Sequence, residues 1–345
     1  MPDSLQIGDV TIQGRVLTAP MTGVSDLPFR RIASACGAAY VATEMVACDS
    51  FARGRPDVVR RAAIGAKEDD DALPLMVIQL VGRSPEWIAK GTRLAQEAGA
   101  DIIDLNMGCP AKEVTGALSG SALMREPELA ARLIDAAVNA TSRPVTLKMR
   151  LGWDDASRNA PQIAALAEGL GVKAITVHGR TRQQFYNGDA DWLAVAEVKR
   201  ATRLPVIVNG DIIDAATARA ALNQSGADAV MIGRGSYGRP WIAAAIDKAL
   251  YTKADLEEPS LASRLGIALE HFTETLRFYG DALGLKIFRK HLGWYVEQAL
   301  CPADPALRRA TRARLCQIDN ALAVETALAA LWSHSTLPIL APAHM

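Results

Sequence analysis

Polar and reactive residues directly follow seven of the eight short apolar runs in this sequence. Burying a polar side chain without a partner is unfavourable, so such repeated placement needs an explanation. If the runs are parallel strands of one barrel, all seven sets meet at the carboxyl-end rim, where barrel enzymes bind ligands. We therefore predict one ligand pocket rather than seven separate loop caps. The residues are Pro20, Met21 and Thr22; Gln79; Asn106 to Cys109; Lys148 to Arg150; His178 and Arg180; Asn209, Gly210 and Asp211; and Gly233 with Arg234.

The last two sets predict a phosphate site. Gly210 and Gly233 offer backbone N–H groups without side-chain obstruction, and Arg234 adds a guanidinium. Barrels commonly bind phosphate at the loops after strands seven and eight. Either glycine alone could simply make a tight turn, but the two loops together favour a phosphorylated ligand.

Lys148 and Gln79 are placed to reach the interior end of such a ligand. A cation and an amide suit an electron-rich carbonyl and imide edge, such as the pyrimidine ring of a flavin. Taken alone, Lys148 could equally form a Schiff base or have a structural role.

Cys109 is the candidate proton donor or nucleophile. It lies between Gly108 and Pro110 on the loop after the fourth run, where exposure at the barrel mouth is expected. The other four cysteines lie in helix-like or apolar surroundings, which are typical of small buried side chains. Position alone leaves a purely structural role for Cys109 as the alternative.

The elements that must position these residues follow from hydrophobic periodicity. Short β-branched runs alternate with amphipathic stretches, and eight such runs fit a (β/α)8 barrel better than an open sheet. Ser84 to Glu86 predicts the start of a helix that ends near Gly99, and Asp214 predicts the cap of one that runs to Gly226. The predicted strands are Val16 to Pro20, Ala39 to Thr43, Leu75 to Leu80, Asp101 to Asn106, Val145 to Met149, Ala174 to His178, Val206 to Asn209 and Ala229 to Ile232.

A second, all-α domain is predicted after the barrel. Residues 1–254 form the barrel, and the acidic, proline-containing stretch Asp255 to Ser260 has the composition of a linker. Residues 261–332 have apolar side chains at helical spacing, which predicts three or four helices. The tail 333–345 is expected to be disordered.

Composition excludes several classes of protein. The 345 residues carry 38 Lys and Arg against 38 Asp and Glu, so the net charge of zero indicates no particular partner. Five scattered cysteines without a C-x-x-C pair argue against a disulfide framework and a zinc site. We therefore expect no metal. Because no long apolar stretch or export signal occurs, we expect a cytoplasmic protein with no membrane segment. A monomer is expected.

Together the motifs resemble those of the tRNA-dihydrouridine synthases, most specifically at Asn106-Met107-Gly108-Cys109-Pro110. The resemblance spans residues 5 to 330 and looks closest to the bacterial B-type branch, through Ala111-Lys112, Arg289-Lys290-His291 and Trp294. Thr22 and Ser25 stand where the family commonly has Ala and Thr. The other matching motifs are Ala19 to Asp26, Pro28-Phe29-Arg30, Lys148-Met149-Arg150, His178 to Thr181, Asn209-Gly210-Asp211 and Gly233-Arg234.

The resemblance implies an FMN-dependent enzyme that reduces the C5=C6 bond of a D-loop uridine in tRNA, with NAD(P)H, and NADPH in particular, as a transient electron donor. Hydride would pass from N5 of reduced FMN to C6, and Cys109 would give a proton to C5 from the opposite face. Lys148, near the flavin N1 and O2 edge, would stabilise the anionic reduced form. The implied FMN-binding residues are Pro20, Met21, Thr22, Gln79, Lys148, His178, Asn209, Gly210, Asp211, Gly233 and Arg234.

A cluster of cations in the helical domain is the candidate RNA surface. Residues 286–314 carry seven Lys and Arg against two carboxylates, a local charge of +5. Contacts to the RNA backbone would offset the cost of extruding a stacked uridine. A solvated helix face is the alternative. The predicted substrate-binding residues are Asn106, Arg180, Lys286, Arg289, Lys290, Arg308 and Arg312.

Three other functions remain open from the residues alone. A flavin barrel acting on a free pyrimidine, similar to dihydroorotate or dihydropyrimidine dehydrogenases, would need no basic helical domain. A non-catalytic RNA-binding or regulatory scaffold would leave Cys109, Lys148 and His178 unconstrained. A phosphosugar isomerase would need a strand-end glutamate base, and none is obvious.

Overall fold

The computed structural model describes residues 4–65, 73–116, 118–252, 254–299 and 304–332. The chain divides into two compact units. Unit 1 runs up to Ser236 and resumes over Trp241–Glu257, and unit 2 comprises Tyr237–Pro240 and the chain from Glu258 onward. The predicted tail, 333–345, and Cys301 lie outside the described residues.

Unit 1 contains an eight-stranded, all-parallel sheet that confirms the barrel class. The strands are β1 (Leu5–Ile7), β2 (Val10–Ile12), β3 (Val16–Thr18), β4 (Val46–Ala47), β5 (Val77–Val81), β6 (Ile102–Met107), β7 (Val145–Arg150), β8 (Ala174–His178), β9 (Val206–Asn209) and β10 (Ala229–Ile232). The strand order of the parallel sheet is β3-β10-β9-β8-β7-β6-β5-β4. Val41 and Ala42 connect β3 to β5, because Val41 pairs with Thr18 and Ala42 pairs with Val77.

Seven predicted strands correspond to strands of this sheet, and the second does not. The run Ala39 to Thr43 is reduced to the two bridging residues Val41 and Ala42. The short strand β4 follows it and pairs with β5. The β1–β2 hairpin was not predicted, since three-residue strands are too short to show a period of two.

Helices cover the outside of the sheet. The helix that Ser84 precedes and the helix that Asp214 caps confirm both predictions, and Asp214 and Thr217 form a capping box. The helices of unit 1 are α1 (Leu27–Ala35), α2 (Cys48–Ala52), α3 (Pro56–Ala62), α4 (Pro85–Glu97), α5 (Lys112–Thr115), α6 (Pro127–Val138), α7 (Ala160–Gly169), α8 (Trp192–Ala201), α9 (Ala215–Ser225) and α10 (Ile242–Thr252).

The barrel interior has an apolar end and a polar end. Leu5, Ile7 and Ile12 of the β1–β2 hairpin pack in one buried cluster with residues such as Val77 and Ile102, which begin β5 and β6. Farther along the same strands the buried side chains become polar. The hairpin therefore covers the amino end of the barrel, which leaves the polar carboxyl end as the candidate entrance for a ligand.

Unit 2 is helical over its described residues. Its helices are α11 (Leu261–Tyr279), α12 (Asp281–Gln298), α13 (Pro305–Leu315) and α14 (Ala321–Trp332). Pro305 begins α13, and Gly280 lies between α11 and α12 with a φ of 76°. No helix among the described residues is long and apolar enough to span a bilayer.

Candidate active site at the carboxyl ends of the barrel strands

Lys148 lies at the centre of the polar end of the barrel. Its Nζ donates to Asn209 Oδ1 at 3.0 Å, and Asn209 in turn donates to the carbonyl of Met231 at 2.8 Å. Lys148 is 9% exposed, and no other described residue accepts a hydrogen bond from its ammonium. Burial lowers the pKa of Lys148 to about 8, although the charge of Asp104 acts to raise it. The ammonium thus has donors left for a ligand.

A chain of buried hydrogen bonds connects Asp104 to the backbone of the Cys109 loop. Gln79 Nε2 donates to Asp104 Oδ2 at 2.6 Å, and Asn106 Nδ2 donates to Gln79 Oε1 at 2.8 Å. Asn106 Oδ1 then accepts from the N–H groups of Gly108 (3.1 Å) and Cys109 (2.9 Å). Parallel pairing of β5 with β6 sets Gln79 beside Asp104. The side chains of Gln79 and Asn106 are therefore bound within the protein.

The two backbone N–H groups of the Cys109 loop decide which group donates in each hydrogen bond of this series. Two N–H groups require that Asn106 presents its oxygen to the loop, so its NH2 group faces Gln79. Gln79 must then present its own NH2 group to Asp104, which has to accept. Burial raises the pKa of Asp104, while hydrogen bonds from Thr146 and Gln79 and the charge of Lys148 act to lower it.

Sequence reasoning missed Asp104, although it lies two residues before Asn106 on the same strand and so on the same face of it. We expect Asp104→Leu to lower the free energy of unfolding by roughly 2–4 kcal/mol, because the buried donors of Gln79 and Thr146 lose their acceptor. Asp104→Asn still offers an oxygen to Gln79 and should cost less. Urea unfolding at fixed protein concentration measures both.

Thr146→Val is the matched control for this prediction. It removes the Thr146 hydroxyl, which donates to Asp104 Oδ1 at 2.7 Å. The hydrogen bonds through Gln79 and Asn106 stay unchanged. Wild-type stability in Asp104→Leu would show that the hydrogen-bond chain contributes nothing to folding.

Cys109 lies on the loop after β6, and its thiol is neither fully buried nor fully exposed. Its carbonyl accepts from the backbone N–H of Ser121 (3.0 Å) and from the Ser121 hydroxyl (2.8 Å). Gly120 has a φ of 57°, and a Cβ there would lie 2.8 Å from the Cys109 carbonyl. A glycine is thus required at position 120 for the loop to return past Cys109.

Arg150 belongs to the predicted rim residues, but no role in the site was predicted for it. It is 1% exposed, and its guanidinium donates to the carbonyls of Gly108 (2.8 Å), Thr181 (2.9 Å) and Phe185 (2.8 Å). Burial lowers the pKa of Arg150 to about 10, so it is protonated near neutral pH. Arg150 therefore ties the Cys109 loop to the loop that follows β8. The Lys148-Met149-Arg150 motif contained the signal.

Arg180 was predicted to bind substrate, but the structure shows its side chain bound within the protein. It is 2% exposed and donates to both carboxylate oxygens of Asp211, at 3.0 and 2.6 Å. It also donates to the carbonyls of Asn187 (3.2 Å) and Gly188. With the contact from Nη1 to His178 Nε2 at 3.3 Å, these bonds use all five N–H groups of the guanidinium, so Arg180 positions its surroundings.

Asp211 binds two arginines at the loops where a phosphate site is predicted. Besides Arg180 it binds Arg234, whose Nη2 lies 3.2 Å from Oδ1, and it accepts from the N–H of Ala190 at 2.8 Å. Burial would raise the pKa of Asp211, but hydrogen bonds from Arg180 and Ala190 hold it below its usual value. The carboxylate, like Arg180, is bound to the protein's own groups and fixes the position of Arg234.

His178 is neutral in this environment. Burial lowers its pKa well below the usual value, and the charges of Arg150 and Lys148 add to the effect. Arg180 Nη1 lies 3.3 Å from His178 Nε2, and because a guanidinium only donates, Nε2 accepts and Nδ1 carries the proton.

The remaining predicted cofactor residues lie on loops at the same rim. Pro20, Met21 and Thr22 follow β3, and the N–H of Met21 is bound to the hydroxyl of Ser25 at 2.9 Å. Gly210 has a φ of 115°, and a Cβ there would lie 2.9 Å from the His178 ring. Gly233 has free space, since its Cβ would meet nothing nearer than 4.0 Å.

The rim as a whole suits an anionic ligand and a proton transfer. Lys148, Arg150 and Arg234 surround it, and Cys109 is the thiol on a loop anchored there. Among the residues that the structure describes, no cluster of three or more potential ligands could hold a metal ion.

The other predicted substrate residues lie in unit 2 and form two basic rows. Lys286, Arg289 and Lys290 are spaced to share a face of α12, and Arg308 and Arg312 are spaced to share a face of α13. Lys286 and Arg312 are exposed, and Arg312 pairs with Glu297 at 3.2 Å.

Comparisons with known proteins agree on one family. The family model for dihydrouridine synthase (Dus) matches residues 17–330. A "Probable tRNA-dihydrouridine synthase" of Rhodobacter capsulatus is 51% identical over 308 residues, covering 89% of this chain and 94% of that protein. "tRNA-dihydrouridine synthase B" of Xanthomonas axonopodis pv. citri is 43% identical over 300 residues, covering 87% and 89%.

Solved structures share the fold. Histamine dehydrogenase from Rhizobium sp. 4-9 superposes with a TM-score of 0.56 at 14% identity, over 79% of this chain and 50% of that one.

Proposed function

The chain belongs to the dihydrouridine synthase family, and from that premise we propose that it reduces the C5=C6 bond of a D-loop uridine in tRNA to 5,6-dihydrouridine. FMN is the cofactor and NAD(P)H the electron donor. The observation that carries the proposal is that one rim presents both a lysine ammonium with donors to spare and a thiol on an anchored loop.

The residues at the rim fit FMN. Lys148 offers unused donors to the electron-rich edge of the ring, and Arg234 with the open space at Gly233 suits a phosphate. When bound, the flavin supplies the hydride for C6 of uracil. The residues proposed to hold it are Pro20, Met21, Thr22, Gln79, Lys148, His178, Asn209, Gly210, Gly233 and Arg234. For Asp211 we propose a positioning role toward Arg234.

Cys109 donates the proton that C5 of the uracil must receive. The uracil C4 carbonyl polarises the double bond, so addition at C6 leaves negative charge at C5 and needs an acid there. The Asn106 oxygen and Arg150 hold the two sides of the loop on which Cys109 lies. Asn106 and Arg180 therefore act on the substrate through the loops that they fix.

A uridine within a folded tRNA is stacked, and it must leave the stack to enter the barrel. Unit 2 supplies backbone contacts that offset this cost, through the basic rows on α12 and α13. We further propose that the protein acts as a monomer in the cytoplasm and that NADPH is its donor.

Nucleoside mass spectrometry tests the activity. tRNA from cells that lack their own dihydrouridine synthases is compared with and without expression of this protein. Dihydrouridine at one mapped position is expected. Yellow, soluble protein without dihydrouridine would instead favour a flavoenzyme of free pyrimidines, and colourless protein would favour a scaffold.

Charge reversal on α13 tests the RNA surface. We expect Arg308→Glu with Arg312→Glu to raise the Kd for unmodified tRNA about tenfold or more and to make its salt dependence shallower, because fewer counterions are released on binding. NADPH oxidation by the flavin should not change. Filter binding at several salt concentrations measures the effect.

Arg277→Glu is the control for this pair, since Arg277 is an exposed arginine of α11 in the same unit. Replacing Arg308 and Arg312 with glutamine avoids placing a like charge beside Glu297. Unchanged affinity in both double variants would refute α13 as an RNA surface.

A further inference from the structure

Two aromatic rings are exposed side by side on the loop after β8. Phe185 is 43% exposed and Tyr186 is 45% exposed. Their centroids lie 4.8 Å apart with the rings nearly perpendicular, at 82°. The activity proposed above assigns no role to either ring. Exposed aromatic groups in direct contact, near a ligand site, are typical of a surface that binds something.

The backbone holds Phe185 in an unfavourable conformation. Its φ is 55°, and among the described residues only Leu118 and Asp211 are other non-glycine residues with a positive φ. A bulky side chain adopts this conformation only where its surroundings impose it. Here Arg150 binds the Phe185 carbonyl at 2.8 Å, and the Phe185 N–H binds the Arg182 carbonyl at 3.1 Å.

Arg150 also connects the aromatic pair to the Cys109 loop. Arg150 donates to the Gly108 carbonyl as well as to Phe185, so one buried guanidinium holds the residue before Cys109 and the strained turn together. The position of the Phe185 backbone relative to the Cys109 loop is therefore fixed within unit 1.

Arginines lie over the Tyr186 ring and over the ring of Trp153. Arg150 and Arg234 lie over the Tyr186 ring, at 5.6 and 5.1 Å from its centroid. Nearby, the N–H of Gln183 binds the carbonyl of Trp153, and Arg125 and Arg182 lie over the Trp153 ring, at 3.8 and 4.8 Å from its centroid. Arginines interleaved with exposed aromatic rings match the chemistry of an unstacked RNA strand, which presents phosphates and base faces in turn.

We propose that Phe185 is a stacking platform for a nucleobase that neighbours the target uridine. Tyr186 holds the Phe185 ring in place through the contact between the two rings. This inference rests on the proposed function. The platform would keep the RNA strand open at the barrel mouth after the uridine has left the stack. Its separation from the Cys109 loop would then select which nucleotide enters.

The test measures binding of an unmodified tRNA transcript by flavin-loaded protein, together with single-turnover dihydrouridine formation. Phe185→Ala and Phe185→Leu should both raise the Kd roughly tenfold, the loss of one stacked base. Phe185→Tyr should stay within twofold, because it keeps an aromatic face. Tyr251→Ala is the matched control, since Tyr251 is a 70% exposed aromatic residue on α10.

Each outcome has one meaning for the platform. Loss of affinity in Phe185→Ala and Phe185→Leu but not in Phe185→Tyr supports it. Wild-type affinity in Phe185→Leu would show a merely apolar contact, as for a protein partner, and overturns it. If the wild type forms dihydrouridine and every Phe185 variant binds equally, only the platform fails. If the wild type neither binds tRNA nor forms dihydrouridine, the platform and the proposed function fail together.

Discussion

Cys109→Ala should slow single-turnover dihydrouridine formation by about 10²–10⁴-fold, the usual contribution of a positioned general acid. The flavin should still bind and be reduced by NADPH at the wild-type rate, because the side chains around Lys148 and Arg234 do not depend on the thiol. Rapid mixing of reduced enzyme with tRNA, followed by flavin reoxidation and by nucleoside analysis, separates the two half-reactions.

Cys36→Ala is the control for this variant. Cys36 is also a partly exposed cysteine, but it caps the carboxyl end of α1, away from the strand-end loops. Equal single-turnover rates in Cys109→Ala and wild type would remove Cys109 from the mechanism. A parallel loss of flavin reduction would instead make Cys109 a structural residue.

Lys148→Met should weaken FMN binding by roughly tenfold to 100-fold, since a charge-assisted hydrogen bond to a buried group contributes about 1.5–3 kcal/mol. The same variant should change the pH dependence. Because burial lowers the pKa of Lys148 to about 8, the ammonium is present below that pH and is lost as the pH rises through it. An electron-rich ligand prefers the protonated form, so wild-type affinity should fall from pH 7 to pH 9.

Flavin fluorescence titrations across this pH range measure both effects. The Lys148→Met protein should bind weakly at every pH, with no transition near pH 8. Lys90→Met is the control, because Lys90 is an exposed lysine on the outer helix α4. A wild-type affinity that is flat from pH 7 to pH 9 would contradict the assignment of Lys148 to the ligand.

The side chains that meet at the rim were predictable, but their roles were only partly so. Asn106 and Arg180 have polar groups at strand ends, and position alone made them substrate ligands. In the structure their hydrogen-bonding groups are taken up by Gln79, the Cys109 loop and Asp211. A sequence shows which hydrogen-bond donors and acceptors exist at the rim, but only the tertiary structure shows which of them are already paired.

Asp104 and Arg150 show the reverse case. Both lie in buried strands, and the sequence predicted no role in the site for either, although Arg150 was among the residues placed at the rim. They matter through partners on other strands and loops: Asp104 through Gln79 on β5, and Arg150 through the carbonyls of Gly108 and Phe185. Partners so far apart in the chain leave no local signal, so the Lys148-Met149-Arg150 motif marked Arg150 without showing what it binds.

By itself the sequence determined the barrel, the helical unit and the rim at which polar residues converge, because short apolar runs, helix caps and strand ends are local properties of the chain. Tertiary structure decided the rest: which rim groups stay available to a ligand, that His178 is neutral, and that Arg150 joins the Cys109 loop to Phe185. These properties depend on burial and on pairing across strands. Both arise only when the sheet closes and brings distant residues within hydrogen-bonding distance.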